Sequence, residues 1–479
     1  MVNSRGPSKG CQRCKKMKMK CSQEQPTYRR CEKAGHDCVY PSAFDRLHRD
    51  QNTAVKLLAT KKWRQRARPK PAEPPYQDLG ETLCTRAYRR FCFDFVIPFP
   101  GTMSNVPELM MTVDTESCLA SAVAAVAYAN YFSRYRSYEA SEASSVCYGR
   151  TLQWLATLMT NPVELQREGV PLVVVLLAIY ETMASSVRDG SWITTCKGPS
   201  RFLHIETASL TRMMANISLF CVYICILLQR RKDTTLISRR LDPQRSISID
   251  HKHRLAILML RTVRVITRLR ENIPVDQRVA SELLQPALDL DLELEAWTTE
   301  LTPAWSSTTQ HPFSHDNRPQ WSRALLAGPG GPRSMICYPG ALAAGDWNTY
   351  RATRIRLNLA IIDFLSRLPA ASLEYHILKT HITKLLASLA SEIACVFPYA
   401  LSLSADGTSD PPSSADIPGM RAYLQLWPLL TAFICCQRHL DQGDEWVDRE
   451  RWFKGVLWFL RDSMCLAKVQ ALLDETGTV

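Results

Sequence analysis

The chain has 479 residues, 46% hydrophobic and 22% charged, a balance with which most of it can bury a core. Its 59 Lys and Arg against 46 Asp and Glu leave +13, and the excess sits at one end. Residues 1–70 hold 19 basic against 5 acidic side chains, a balance of +14, whereas the other 409 hold 40 against 41. A basic head on a neutral body points to a polyanion, nucleic acid before membrane. The opening MVNSRGPSKGCQRCKK carries no apolar stretch of signal-peptide length. The best apolar runs, Val170–Tyr180 and Met213–Leu228, fall short of the roughly 18–20 residues of a membrane helix. Both are expected as buried core helices, and no membrane partner is expected.

At this length, the expectation is about three domain-sized units, or one large unit with a small module. Residues 1–41 form a small, Cys- and Lys-rich module with almost nothing apolar to bury. A metal or a disulfide must hold it together. Residues 42–76 read as a linker, basic first and Pro-rich after, in KKWRQRARPKPAEPPY. Its Lys61, Lys62, Arg64, Arg66 and Arg68 are candidates for phosphate contact, nuclear import or both, the other reading being a solvated linker. Val55, Leu57 and Leu58 do not sustain a heptad, so no coiled coil is expected.

Residues 77–479 are expected to be all α. Leu83, Ala87, Phe91 and Phe95 share one face of a helix over Glu81–Phe95. Asp114 is the expected N-cap of an Ala-rich helix, Thr115–Tyr131. Ser141–Thr160 follows, and then the all-round apolar Val170–Ser186. The series continues with Ala208–Arg230, His253–Leu269, Val279–Leu301 and Trp347–Leu368. It closes with Leu373–Cys395, Ala422–Leu440 and Asp448–Leu473. Leu288, Leu290, Leu292 and Leu294 alternate as in a strand, but Leu290, Leu294, Trp297 and Leu301 keep helical spacing over a longer window, so this segment is assigned to helix. A sheet is not expected, nor is an internal repeat. Ser306–Gly345, with ten Gly or Pro, and Ala405–Gly419, with few apolar residues, are expected as mobile surface loops.

The chain has 17 cysteines. Twelve are scattered through the body and are expected to be reduced, buried and inert. The other five, Cys11, Cys14, Cys21, Cys31 and Cys38, are spaced C-x2-C-x6-C-x9-C-x6-C. Clustered thiols at this spacing are metal ligands before they are disulfides. A C-x2-C step lets two thiolates grip one tetrahedral zinc, and the x6 step brings back a third. Between Cys14 and Cys21, Lys15, Lys16, Lys18 and Lys20 are expected to present four ammonium groups on a short helix, either to DNA or to solvent.

The segment CQRCKKMKMKC, with Pro26, Gly35 and Tyr40 in place, resembles the fungal zinc binuclear cluster, in which six cysteines hold two zincs. The resemblance implies a DNA-reading module whose first helix enters the major groove at a CGG triplet, with a Lys at the place of Lys18 taking part. It departs at position 28, where the family has its fourth cysteine and this chain has Tyr28. In the family the first and fourth cysteines bridge both metals. The implied ligand sets are therefore Cys11, Cys14 and Cys21 for one zinc and Cys11, Cys31 and Cys38 for the other, each one short of four. His36 is a candidate nitrogen donor to the second zinc, the alternative being a solvated or phosphate-facing side chain. One or two zincs are expected. Met17 stands where the family has a basic residue and Ser22 where it has Asp.

Body segments YRRFCFDFVIPFPG, CLASAVAAVAYANYFSR, SWITTCKGPSRFLHIE, Trp347–Leu357 and AYLQLWPLL resemble the fungal-specific transcription factor regulatory domain. Where that family often shows W-x-x-H-x-x-G, this chain has Trp192, Thr195 and Gly198. Catalytic signatures are missing: there is no G-x-S-x-G, H-E-x-x-H, P-loop or D-D-x-x-D. Gly328, Gly330 and Gly331 lie in a Pro-rich loop, and His251 with His253 reads as a polar helix start. The expectation is a nuclear, non-enzymatic regulator of RNA polymerase II transcription, of a specialised-metabolism gene cluster by resemblance. Double-stranded DNA and the transcription machinery are its expected partners, with a homodimer or heterodimer left open. The alternative is a regulatory protein whose degenerate head does not bind DNA alone.

Overall fold

The computed structural model describes residues 11–21, 29–36, 38, 81–97, 103–114, 116–158, 170–184, 251–271, 277–301, 305–311, 313–314, 316–368, 373–440 and 443–476. The chain divides into two compact units, 1–79 and 80–479. The predicted Ala208–Arg230 helix, the run Met213–Leu228, and Trp192, Thr195 and Gly198 lie outside the described residues, as does the linker over residues 42–76.

In the first unit, helices α1 (Gln12–Lys16) and α2 (Arg29–Lys33) are short. The second unit opens with α3 (Leu83–Phe91), which Thr82 caps by accepting from the Thr85 amide at 3.2 Å. The apolar face runs on through a π turn, Cys92–Val96, so that Ala87, Phe91 and Phe95 are all buried. That turn also buries Asp94. Its carboxylate accepts from Arg90 Nε at 2.5 Å, Asn130 Nδ2 at 2.7 Å, Arg134 at 3.0 Å and the Gly419 amide at 2.8 Å. Four donors offset the desolvation of one buried charge and tie three distant segments together.

Helix α4 is Val106–Thr112 and α5 is Cys118–Tyr135. The cap of α5 is Ser117, which accepts from the Ala120 amide, and not Asp114 as expected; Asp114 accepts from the Glu116 amide instead. Ala122, Ala125 and Ala129 are buried on α5, and these small side chains let α6 (Tyr138–Leu158) and α7 (Val170–Ala184) come close.

The larger half of the unit is built on α11 (Ala341–Leu365), which is buried along most of its length. Packed against it are α8 (His251–Leu269), α9 (Gln277–Thr299), α12 (Leu373–Ala400) and α13 (Gly419–Cys436). The alternating leucines fall in α9: Leu290, Leu294 and Trp297 are buried and Leu292 is exposed, as the helical period requires. Among the described residues α12 alone is long and apolar enough to cross a membrane, and half of its apolar window is buried in the bundle. The predicted Asp448–Leu473 helix is two, α14 (Asp444–Asp462) and α15 (Lys468–Thr476). The break carries Cys465 in the left-handed region, φ 63°. The fold is mainly α.

The two predicted loops differ most from expectation. Ser306–Gly345 contains a two-stranded antiparallel sheet, β1 (Thr308–Gln310) and β2 (Met335–Cys337), and helix α10 (Gln320–Leu326). Strands of three residues give no readable period, which is why the sheet was not expected. Nor are the two loops free of each other. Arg318 is buried and gives NH1 to Asp410 Oδ2 at 2.7 Å and NH2 to the Ser404 and Ala405 carbonyls. Asp410 also accepts from Ser322 and the Ser404 amide. Gly407, at φ +78°, lies where a Cβ would strike the Arg318 side chain. The glycines of the Pro-rich loop have a similar cause: a Cβ on Gly330 would overlap the Asp448 backbone, and the Gly330 carbonyl accepts from Arg449 at 2.7 Å. That loop seats α14.

Because Arg318 and Asp410 are both fully withdrawn from water, removing one leaves the other uncompensated. Arg318→Met is expected to lower the stability of the full chain in urea by about 3–5 kcal/mol. A loss below about 1 kcal/mol, the range of exposed pairs, would show that the two loops do not close on each other.

Candidate metal centre and nucleic-acid interface

The first unit has a core made of sulfur. Cys11, Cys14 and Cys31 are buried, and Cys21 and Cys38 pack against them half-buried. The thiols form two groups, Cys11–Cys14–Cys21 and Cys11–Cys31–Cys38, with the sulfurs of each group within 4.8 Å of one another. Cys11 belongs to both. Its Sγ lies 3.9 Å from Cys31 Sγ. Two thiolates on a tetrahedral zinc at ~2.3 Å stand ~3.8 Å apart, so the spacing suits the metal.

Burial, then the adjacent Cys11 and Cys21, push the Cys14 thiol up to about 12. Burial and the neighbours Cys38 and Cys11 raise Cys31 as well. Thiols crowded in this way resist ionisation unless a cation enters, and a coordinated zinc deprotonates them outright. The donor set is soft and four-fold demanding, which fits zinc; neither thiol group includes His36, whose side chain is exposed. Tyr28 and Pro26 lie outside the described residues.

Backbone geometry repeats across the cluster at an offset of 17 residues, against the expectation of no internal repeat. The Met19 amide donates to the Cys14 carbonyl at 2.9 Å, and the His36 amide donates to the Cys31 carbonyl at 3.0 Å. Lys18 and Gly35 stand in the same place, each four residues past its cysteine and each left-handed, with φ 54° and 63°. This is the six-to-one hydrogen bond of a left-handed helix stop. It was hidden because a repeat of backbone does not need a repeat of side chains.

The lysines are therefore not on one helix. α1 ends at Lys16, Met17 and Lys18 turn, and Met19 and Lys20 run on outside helical geometry. Lys16, Lys18 and Lys20 are exposed, with Met17 and Met19 exposed between them. Lys15 lies in α1. The stop breaks the row expected from sequence, yet it leaves Lys18 and Lys20 exposed on a short loop, with Lys16 exposed at the end of α1. Lys61, Lys62, Arg64, Arg66 and Arg68 lie outside the described residues.

Elsewhere, the described body cysteines are free thiols. Cys435 and Cys436 are buried, and burial pushes Cys435 up to about 12; against the expectation that all would be buried, Cys84 is exposed and the other described body cysteines are half-buried. His251 opens α8, where its carbonyl accepts from Trp297 Nε1 at 2.9 Å.

Residues 9–47 match the family model of the Fungal Zn(2)-Cys(6) binuclear cluster domain. No curated protein and no solved structure matches the chain. The match and the thiol groups make the head a zinc-binding, DNA-binding module of a fungal transcription regulator.

Five thiols cannot close two four-coordinate sites, and a phenol, with a pKa near ~10, is a poor bridge between two zincs. The head is expected to hold fewer than two zincs tightly in native mass spectrometry. Tyr28→Cys is expected to raise the stoichiometry to two and to tighten DNA binding. Two tightly held zincs in the unsubstituted protein, unchanged by Tyr28→Cys, would show that the head closes both sites without a sixth thiolate.

Proposed function

We propose that the chain reads CGG-like DNA triplets as a nuclear regulator of RNA polymerase II transcription, through Lys18 and its neighbours Lys15, Lys16 and Lys20. The observation that carries this reading is the conformation of Lys18. A left-handed backbone costs a residue with a Cβ about 1–2 kcal/mol, and the equivalent position in the second half of the repeat is Gly35. Keeping lysine where glycine would relieve that cost points to a use for its ammonium, and an exposed Lys beside the metal cluster can donate to guanine O6 and N7. Cys11, Cys14, Cys21, Cys31 and Cys38 are the proposed zinc ligands.

The basic residues Lys61, Lys62, Arg64, Arg66 and Arg68 would add phosphate contacts, import into the nucleus, or both. Unit 80–479 is proposed as the regulatory domain that couples DNA binding to the transcription machinery; nothing in its described residues resembles a catalytic motif. A role in a specialised-metabolism gene cluster, and pairing as a homodimer or heterodimer, rest on the family resemblance. One observation favours a second reading: Tyr28 in place of a bridging cysteine suits a regulator whose head needs a partner to hold DNA.

If lysines carry the binding, affinity of the full chain for a CGG-containing duplex falls with salt, with a slope of about −0.9 for each phosphate neutralised. Binding insensitive to salt, or none at low salt, would count against DNA recognition by this head alone.

Lys18→Ala keeps a Cβ in the left-handed position, so it removes the ammonium without easing the backbone. It is expected to cost about 1–3 kcal/mol at a CGG site and to relax the preference for that site. Lys62→Ala is expected to weaken all sequences alike. Equal effects of the two changes on specific and random duplexes would reduce the lysines to phosphate neutralisers.

A further inference from the structure

In the second unit, three arginines from three separate segments converge on one cleft. Arg270 follows α8, Arg356 lies in the middle of α11 and Arg438 follows α13. Asp363, one α11 face further on at i+7 from Arg356, is the sole carboxylate among the lining residues. Its lining residues thus count three arginines against one carboxylate. Leu359 and Ile434 give it an apolar side.

The arginines are not equivalent. Arg270 and Arg438 stand just beyond helix C-termini, where the carbonyl dipole favours a cation without any ligand. Arg356 has no helix end beside it. Its Nε donates to Thr431 Oγ1 at 3.3 Å, which orients the guanidinium within the cleft. Arg438 shows what the cleft accepts: its NH2 meets both oxygens of Asp363, at 2.9 and 2.7 Å. Both members of that pair are more than a third exposed, so the pair is weak and open to exchange. A charged side chain already occupies part of a site for carboxylates.

We propose that this cleft is a binding site for a small organic acid, its carboxylate held by Arg356 and Arg438 and its apolar part against Leu359 and Ile434. The planar guanidinium fork fits a carboxylate in two parallel hydrogen bonds. Apolar walls with a few convergent polar groups are the usual build of a small-molecule site. Asp363 is then an internal competitor that the ligand displaces from Arg438. The site gives the regulatory unit a place to sense a metabolite acid, and it does not depend on how the head reads DNA.

The test uses the full chain with hexanoate as the probe, hexanamide as its neutral counterpart and inorganic phosphate as an anion without an apolar part. Binding is followed by ligand-observed saturation-transfer NMR. Saturable hexanoate binding is expected, with no comparable signal from hexanamide and only weak competition by phosphate. Arg356→Gln is expected to weaken hexanoate at least about tenfold, the scale of one lost charge-assisted hydrogen bond. Asp363→Asn moves the opposite way, to severalfold tighter binding, and remains informative should Arg356→Gln fail to fold by circular dichroism. Hexanamide binding as well as hexanoate, phosphate competing on equal terms, or Asp363→Asn leaving the affinity unchanged or weaker would each overturn the proposal.

Discussion

A helix buried along most of its length cannot hold a charge without partners beside it, and the buried Arg351 and Arg354 of α11 choose its neighbours. Arg354 meets Asp291 of α9 with both oxygens at 2.9 Å. Arg351 reaches Glu392 of α12 at 2.8 Å, Asn348 at 3.0 Å and the Tyr338 hydroxyl at 2.7 Å. Its guanidinium also lies over the Trp347 ring. Each bond selects a neighbour, because apolar packing alone would tolerate other rotations of α11. Through Tyr338 the same arginine positions the strand pair, and through Asn348, which donates to Gln425 at 2.7 Å, the network reaches α13. The arrangement of α9, α12, α13 and the strand pair therefore depends on charges that a hydrophobicity pattern counts as exceptions. The cleft at Arg356 sits on this same helix.

The first unit is held in the opposite way. Among its described residues the buried cluster is the five cysteines, and metal binding is expected to supply the free energy of folding, on the order of 10–16 kcal/mol in zinc-finger peptides. A metal-held fold is indifferent to most of its surface. That leaves the loop past Cys14 free to carry closely spaced lysines and two exposed methionines with no core to lose. It also makes the fold depend on how many thiols remain, and this is why a single tyrosine in the cluster motif bears on the whole module.

Much of this was legible in the sequence because it rests on period and spacing. Phe91 and Phe95, Leu290 and Leu294, and the five cysteines announce their elements by intervals of three, four, two or six. What escaped has no interval. The ion pair of Arg318 and Asp410 joins residues far apart in the chain, so two stretches that look like solvated loops close on each other. The cap falls on Ser117, directly before the first helical residue Cys118, while Asp114 accepts from the Glu116 amide, and the apolar period does not distinguish these two candidate starts. The arginines of the cleft share no motif, only a place. The stop at Lys18 was missed because lysine is a good helix former, and nothing in KKMKMK says that the backbone turns left-handed there.

The repeat of 17 residues orders these observations. Both halves of the head close their short helix by the same backbone bond, yet their side chains have diverged in opposite senses. The first half keeps all three of its thiols and places Lys18 at the left-handed residue. The second half has Tyr28 where the first has Cys11, Gly35 where it has Lys18, and an exposed His36 where it has Met19. In the proposed reading the missing thiolate thus falls on the half that presents no lysine at the turn. Cys11 is common to both sulfur groups, so the first half retains three protein donors of its own and can borrow Cys31, whose sulfur already stands 3.9 Å from Cys11. Four thiolates around one zinc would close a structural site on the reading side of the module and leave Cys38 over. Such a head would keep the loop that reads DNA while giving up the second metal.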